Sequence, residues 1–202
     1  NDTPISTANP YHNSDLAQRA YDPEKAKYHL KKAGYDGSAV QLSSSDAAFA
    51  GAVDAALLIK ESASKSGLNI EVVREPKDGY WSNVWNKKPW SACYWGGRPT
   101  EDWMFTAAYM ADGEWNDTAW RTGASVERFN KLVLMGRSEV DLVKRREIYY
   151  EAQALVHDDG GALIPMFANN INAHSKKLTH GPDVAANWEL DGGKAAERWW
   201  FA

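Results

Sequence analysis

A chain of 202 residues with 44% hydrophobic and 25% charged residues is long enough to bury a sizeable core, and its composition excludes an intrinsically disordered segment. A net charge of -4 with no basic run argues against a nucleic-acid surface, and no apolar stretch approaches the length needed to span a bilayer. The lone cysteine, Cys93, has no partner for an internal disulfide and reads as a small buried hydrophobe, so thiol usage leaves the compartment open.

The chain opens Asn1-Asp2-Thr3-Pro4, which is no secretory leader, so it reads as cytoplasmic or as a mature or excised piece. Residues 1–20 hold two prolines and several Asn and Ser without a period, and are expected to form an extended lead-in. Asp22-Pro23-Glu24 then starts a helix: Asp as N-cap, Pro in the first turn, Glu near the positive pole. Ala26, Leu30 and Ala33 carry its apolar face and Gly34 stops it. Val40–Leu42 reads as a short strand entering the polar loop Ser43-Ser44-Ser45-Asp46, whose residues can cap a helix. That helix has Phe49, Ala52, Val53, Ala56, Ile59 and Ala63 on one face and closes at Gly67. Leu68–Val73, alternating and β-branched, is the next strand.

A short helix within residues 76–86 carries Tyr80, Trp81 and Trp85, and Pro89 leads into a third strand from Trp90. This strand is aromatic and turns at Gly96-Gly97-Arg98-Pro99, after which Thr100 caps a helix running to about Met110. Residues 111–123 are irregular. Ser125 is expected to cap a helix buried through Phe129, Leu132 and Val133. Ser138, with Asp141 as its box-like partner, is expected to cap another whose Leu142, Tyr149, Ala152 and Val156 face inward, ending at Gly160-Gly161. Residues 162–173 read as a strand made edge-like or kinked by Pro165, and the tail from His174 is polar and Gly-rich but ends Trp199-Trp200-Phe201. Helices alternating with strands argue for an α/β fold with a mixed, mostly parallel sheet flanked by helices.

Ligands in α/β proteins gather at the carboxyl ends of strands, which draws attention to the strand–turn–helix at residues 90–104. There, Trp95 offers a ring for stacking, Gly96 and Gly97 offer backbone amides, and Arg98 offers a positive fork for a carboxylate or phosphate. Trp81, Trp85 and Trp95 flank the turn in sequence and would wall a pocket if they converge. The five histidines show no metal spacing, and there is no Gly-x-Ser-x-Gly elbow or Walker loop, so no catalytic residue, metal ligand or cofactor is assigned. Glu101 and Asp102 beside tryptophans bring a glycosidase pair to mind, but adjacent helix residues diverge instead of facing across a sugar. A carbohydrate-binding module or carbohydrate-acting enzyme using the tryptophan-rich surface is the alternative to a receptor.

Several stretches together resemble one family. Asp22-Pro23-Glu24-Lys25-Ala26-Lys27 through Ala33-Gly34-Tyr35, Ser66-Gly67-Leu68-Asn69-Ile70-Glu71-Val72, and Arg145-Arg146-Glu147-Ile148-Tyr149-Tyr150-Glu151-Ala152-Gln153 with Ile164-Pro165-Met166-Phe167 are similar to the family 5 extracytoplasmic solute-binding proteins of oligopeptide, dipeptide, opine and nickel ABC transporters. The resemblance runs from about residue 21 to the end and implies the C-terminal part of such a receptor, one lobe of a type II periplasmic-binding-protein fold. It further implies an extended lead-in at 1–20 from a missing N-terminal lobe, a ligand-binding lobe at 21–173, and a tail at 174–202 that returns to that lobe. A periplasmic location, a small-molecule or peptide ligand and an inner-membrane ABC permease as partner follow from the same likeness. So does a ligand set of Ser43, Ser45, Trp81, Tyr94, Trp95, Gly96, Gly97 and Arg98. In peptide binders of this family an acidic residue stands three positions after the cavity Trp; here that position is Arg98, which points to an anionic group on the ligand.

Overall fold

The computed structural model describes residues 2–186 and 188–202. The chain divides into two compact units, Gln18–Trp95 and the combination of Asn1–Ala17 with Gly96–Ala202.

In the first of these, α1 (Pro23–Lys32) begins as expected: the Asp22 side chain accepts from the Lys25 amide at 2.8 Å. β1 (Val40–Ser44) and β2 (Ile70–Arg74) pair in parallel, Val40 opposite Ile70 through Ser44 opposite Arg74. Between them lies α2 (Ala52–Ser64), completing a β-α-β unit. The Ser43–Asp46 loop does not cap this helix. β1 runs on through Ser44, and α2 starts after Gly51, which sits at φ +81° and provides no side-chain cap. Ala56 packs with Leu42 and Ile70 under Ala63, Leu68, Val72 and Trp90. Ile59, expected on the buried face, is exposed. A second cluster joins Ala48 and Ala52 to Tyr80 and Val84, the first of these opening the single turn α3 (Tyr80–Asn83).

The third strand is reduced to one parallel bridge, Ser43 to Ser91, made by the Ser43 amide on the Trp90 carbonyl (3.1 Å) and the Ala92 amide on the Ser43 carbonyl (2.9 Å). With Pro89 ahead and the glycines behind, the ladder has no room to extend.

In the other unit, α4 (Glu101–Ala108) is capped by Thr100, whose hydroxyl accepts from the Trp103 amide at 3.2 Å. α5 (Ala124–Ser138) and α6 (Leu142–Asp159) pack closely. Their core is aromatic: Phe105 stands edge-on to Phe129 at 5.3 Å between centroids, Trp120 meets Phe129 at 5.2 Å, and Tyr149 lies beside Phe105 and Tyr11. Each such buried ring contributes about 1.5–3 kcal/mol by its removal from water. Two expected caps are corrected. α5 starts after Gly123 with no side-chain cap from Ser125, and α6 is capped by Asp141 itself, which accepts from the Val143 and Lys144 amides. Ser138 instead closes α5, its hydroxyl turned back to the Met135 carbonyl, a common habit of a hydroxyl inside a helix. Capped by Asp141, α6 starts three residues later than a Ser138 cap would place it, and Leu142, expected to face inward, lies exposed in its first turn.

Gln153, fully buried on α6, stitches the N-terminal segment to the helices. Its Oε1 accepts from the Asn13 amide (2.9 Å) and its Nε2 donates to the carbonyls of Tyr11 (2.8 Å) and Tyr149 (3.0 Å). The expected strand at 162–173 does not form; Leu163, Met166, Phe167 and Ile171 lie exposed. Pro165 removes a donor, and residues 162–173 join neither described sheet. Further on, β3 (Leu178–His180) and β4 (Trp199–Phe201) form an antiparallel pair, with Trp199 against His174 and His180. Among the described residues no helix is long and apolar enough to cross a membrane.

Candidate functional site

The carboxyl ends of β1 and β2 are where a parallel pair exposes its unpaired carbonyls and the loops that follow, and polar residues concentrate there. Ser43, Ser44 and Ser45 are all buried. Ser43 is bonded on its backbone to the 90–92 segment, and its hydroxyl donates to Glu75 Oε1 at 2.8 Å. The hydroxyl of Ser45 accepts from the Ala47 amide at 3.3 Å and so shapes the loop. Glu75 follows β2 directly and is also paired with Lys88. That hydrogen bond, with a smaller share from Ser43, holds the Glu75 carboxyl below the ordinary carboxylate range against the opposing effect of burial. Tyr80 closes the group: its hydroxyl donates to the Ala92 carbonyl at 2.6 Å, and burial, followed by the thiol of Cys93 and the carboxylate of Glu75, pushes its pKa up to about 12.

Beside this polar group runs a chain of edge-to-face rings. Trp81 meets Tyr80 at 5.6 Å, Trp85 at 5.8 Å and Tyr94 at 5.5 Å, and Trp85 meets Trp95 at 6.1 Å. The tryptophans flanking the turn therefore converge. Edge-to-face pairs leave ring faces available, and the outer members are open to solvent, Trp81 at 39% and Tyr94 at 61%. The wall can stack a flat or aliphatic group and hold a cation against its π-faces.

Gly96, Gly97 and Arg98 belong to the other unit. Arg98 Nη1 donates to the carbonyls of Gly96 (2.9 Å) and Gly97 (3.3 Å), and the guanidinium lies 5.8 Å from the centre of the Trp103 ring. The fork thus stiffens the glycine turn. A Cβ on Gly96 would meet the Trp188 ring and Arg98 Nη1 at 3.4 and 3.5 Å, ordinary contact distances, and its φ is not in the left-handed region. Residues including Ile5, Asn9, Gly97, Arg98, Thr100 and Met104 line a cavity of about 40 Å³, room for a few water molecules. Next to it Glu101 is 6% exposed, and burial foremost raises its carboxyl above the ordinary 4.5, with a hydrogen bond from Asn9 opposing. Asp102 is committed elsewhere, to Arg137 Nε at 3.1 Å, so the two neighbouring carboxylates have separate partners. No group of three or more His, Cys, Asp or Glu placed to hold a metal occurs among the described residues.

Sequence reasoning placed Tyr80 on the short helix but gave it no part in this polar group, and it overlooked Glu75 and Lys88. The available signal was a carboxylate set between the last strand residue, Arg74, and Pro76, where the chain must leave the sheet.

Similar folds occur among solved structures. An ABC transporter substrate-binding protein, CtaP from Listeria monocytogenes, superposes with a TM-score of 0.68 at 16% identity, covering 78% of this chain and 32% of its own. The periplasmic binding protein DppA from Helicobacter pylori, in complex with the peptide STSA, gives 0.66 at 19% identity over 79% and 31%. NikZ from Campylobacter jejuni, in complex with Ni(L-His), gives 0.67 at 14% identity over 95% and 41%. The chain therefore spans roughly a third to two fifths of the length of these proteins, and the likeness establishes the α/β periplasmic-binding-protein fold. No curated protein sequence matches it. The model of the bacterial extracellular solute-binding proteins, family 5 Middle, matches residues 1–117, a stretch that takes in the first twenty residues, where the resemblance read from sequence had not reached. With more than half of its length matched, the chain belongs to the family 5 bacterial extracellular solute-binding proteins.

Proposed function

We propose that this chain is a ligand-gripping part of the substrate-binding component of an ABC importer. It acts in the periplasm without catalysing a reaction, closes on a solute together with a second lobe, and delivers it to an inner-membrane permease. Family membership supports this reading, as do the peptide and Ni(L-His) complexes of structurally similar proteins. The observation that carries it here is the solvent-open aromatic wall of Trp81 and Tyr94 beside the carboxyl end of β1. Such a wall with convergent polar groups is how receptors bury a small solute. Closure is then selected by contacts the solute makes to both lobes.

The proposed contact set is Ser43, Ser45, Trp81, Tyr94, Trp95, Gly96, Gly97 and Arg98. Trp95 and its neighbours stack, the glycine amides donate, and Arg98 pairs with a carboxylate or phosphate after letting go of the turn's carbonyls. Thermal-shift and calorimetric screening of the chain against peptides, opines, sugar phosphates and oligosaccharides tests the reading. Binding of an anionic solute that is lost in Arg98→Ala supports the set; unchanged affinity removes Arg98 from it. A response to neutral oligosaccharides alone would instead favour the carbohydrate-binding alternative.

A further inference from the structure

β2 delivers a carboxylate to the end of the parallel pair and the chain fixes it from both sides. The Glu75 amide donates to the Ser44 carbonyl at 2.8 Å, and the side chain, 10% exposed, takes the Ser43 hydroxyl on Oε1. The charge is balanced by Lys88, whose backbone is held by the Val84 carbonyl at 2.9 Å while its ammonium reaches in to the same Oε1. Lys88 is 41% exposed, a compact cation at the end of a flexible stem. Oε2 takes no hydrogen bond from the described residues.

We propose that Glu75 is a binding site for a primary ammonium group of the solute, and that Lys88 fills this site until the solute arrives. The proposal rests on the receptor reading above and names one chemical group that the solute carries. A carboxylate with so little exposure cannot be left without a cation at neutral pH except at considerable cost, so an empty receptor needs a substitute. Lys88 is that substitute: its charge and donor chemistry are those of an alkylammonium. The exchange conserves charge, so neither state strands Glu75 unpaired. With Oε1 engaged, an incoming ammonium meets Oε2 first, and Lys88 can then withdraw to solvent by rotating its own stem. Ser43 stays bound throughout and keeps the carboxylate aimed. Tyr80, whose hydroxyl is influenced by the Glu75 charge, carries the ring chain onward to Trp81 and Tyr94, which can bury the carbon skeleton attached to the ammonium.

The test is a titration of the isotopically labelled chain, following the backbone amides of Ser43, Ser44 and Glu75 by NMR. The probes are L-alanyl-L-alanine, cadaverine and the N-acetylated form of each. The first two separate a peptide α-ammonium from a plain alkylammonium, and the acetylated pair removes the charge. Lys88→Met takes away the internal competitor and is expected to tighten the ammonium probes by roughly two- to fivefold, the range implied by a partly exposed ion pair. Glu75→Gln, which can still accept from Ser43, is expected to weaken them at least tenfold, the scale of a charge-assisted contact. Ammonium binding indifferent to both substitutions, acetylated probes binding as well as free ones, or no binding to the Lys88→Met chain at millimolar concentration would each overturn the proposal. If neutral or anionic solutes bind in the broader screen while ammonium probes fail, the ammonium site falls and the receptor reading stands. If no solute of any class binds there, it is the receptor reading that falls.

Discussion

Gly136 lies directly against the ring of Tyr149: a Cβ built on that glycine would sit 2.7 Å from both Cε1 and Cζ. α5 and α6 come together at this point, and Tyr149 is buried, so its ring has nowhere to retreat. Gly136→Ala gains about 1 kcal/mol of helix propensity but introduces overpacking of about 1–3 kcal/mol. The net expectation is a lower midpoint of chemical denaturation than the parent chain. A variant as stable as the parent would mean that the helices can separate here without cost.

Gln153 is the residue through which residues 11–13 are held on α6. Gln153→Ala leaves the Asn13 amide and the Tyr11 carbonyl buried without partners, at about 1–3 kcal/mol for each such group. Hydrogen exchange should show the amides of this segment losing protection while those in α2 keep theirs. Equal loss in both places would contradict a local role.

The caps of α5 and α6 can be told apart by substitution. Asp141 accepts two helix amides, so Asp141→Ala should cost about 1 kcal/mol. Ser138 supplies no cap, so Ser138→Ala should fall within about 0.5 kcal/mol of neutral. Urea unfolding of the two variants side by side separates them, and the reverse ranking would restore Ser138 as the cap.

Glu101 makes stability depend on pH. Its carboxyl is raised above 4.5, chiefly by burial, so the folded chain holds the proton more tightly than the unfolded one. The resulting stabilisation is complete below pH 4.5 and is lost as the pH climbs through the raised value. Glu75 works in the opposite sense, its stabilisation present above 4.5 and lost as the pH falls through its lowered value. Glu101→Gln should therefore lose less stability than the parent between acid and neutral pH, and Glu75→Gln less on acidification. Thermal melts across that range check both slopes.

Much of the architecture was legible because local chemistry and burial agree. The Asp22-Pro23-Glu24 start, the Thr100 cap and the β-branched run expected at 68–73 each meet one demand. The first two form where expected, and the strand forms two residues later at its start and one at its end, as Ile70–Arg74. The readings that missed depend on what lies alongside. Residues 162–173 have the composition of a strand, but strand formation needs pairing with a neighbour's hydrogen-bonding edge, and this segment pairs with none of the described strands. Ser138 and Asp141 are both capable caps, and only the path of the chain between two packed helices decides which side chain reaches the amides. The aromatic wall could be guessed from Trp81, Trp85 and Trp95 in sequence. The Ser43–Glu75–Lys88 contact could not, because it joins residues from three separate segments.

The attachment of residues 90–92 to β1 consists of two backbone hydrogen bonds, both made by Ser43. Beyond that joint the ribbon is held by side chains: the Tyr80 hydroxyl on the Ala92 carbonyl, Trp81 against Tyr94 and Trp85 against Trp95. Substitution of those few rings would therefore reshape the aromatic wall while leaving the β-α-β pairing of β1 and β2 intact.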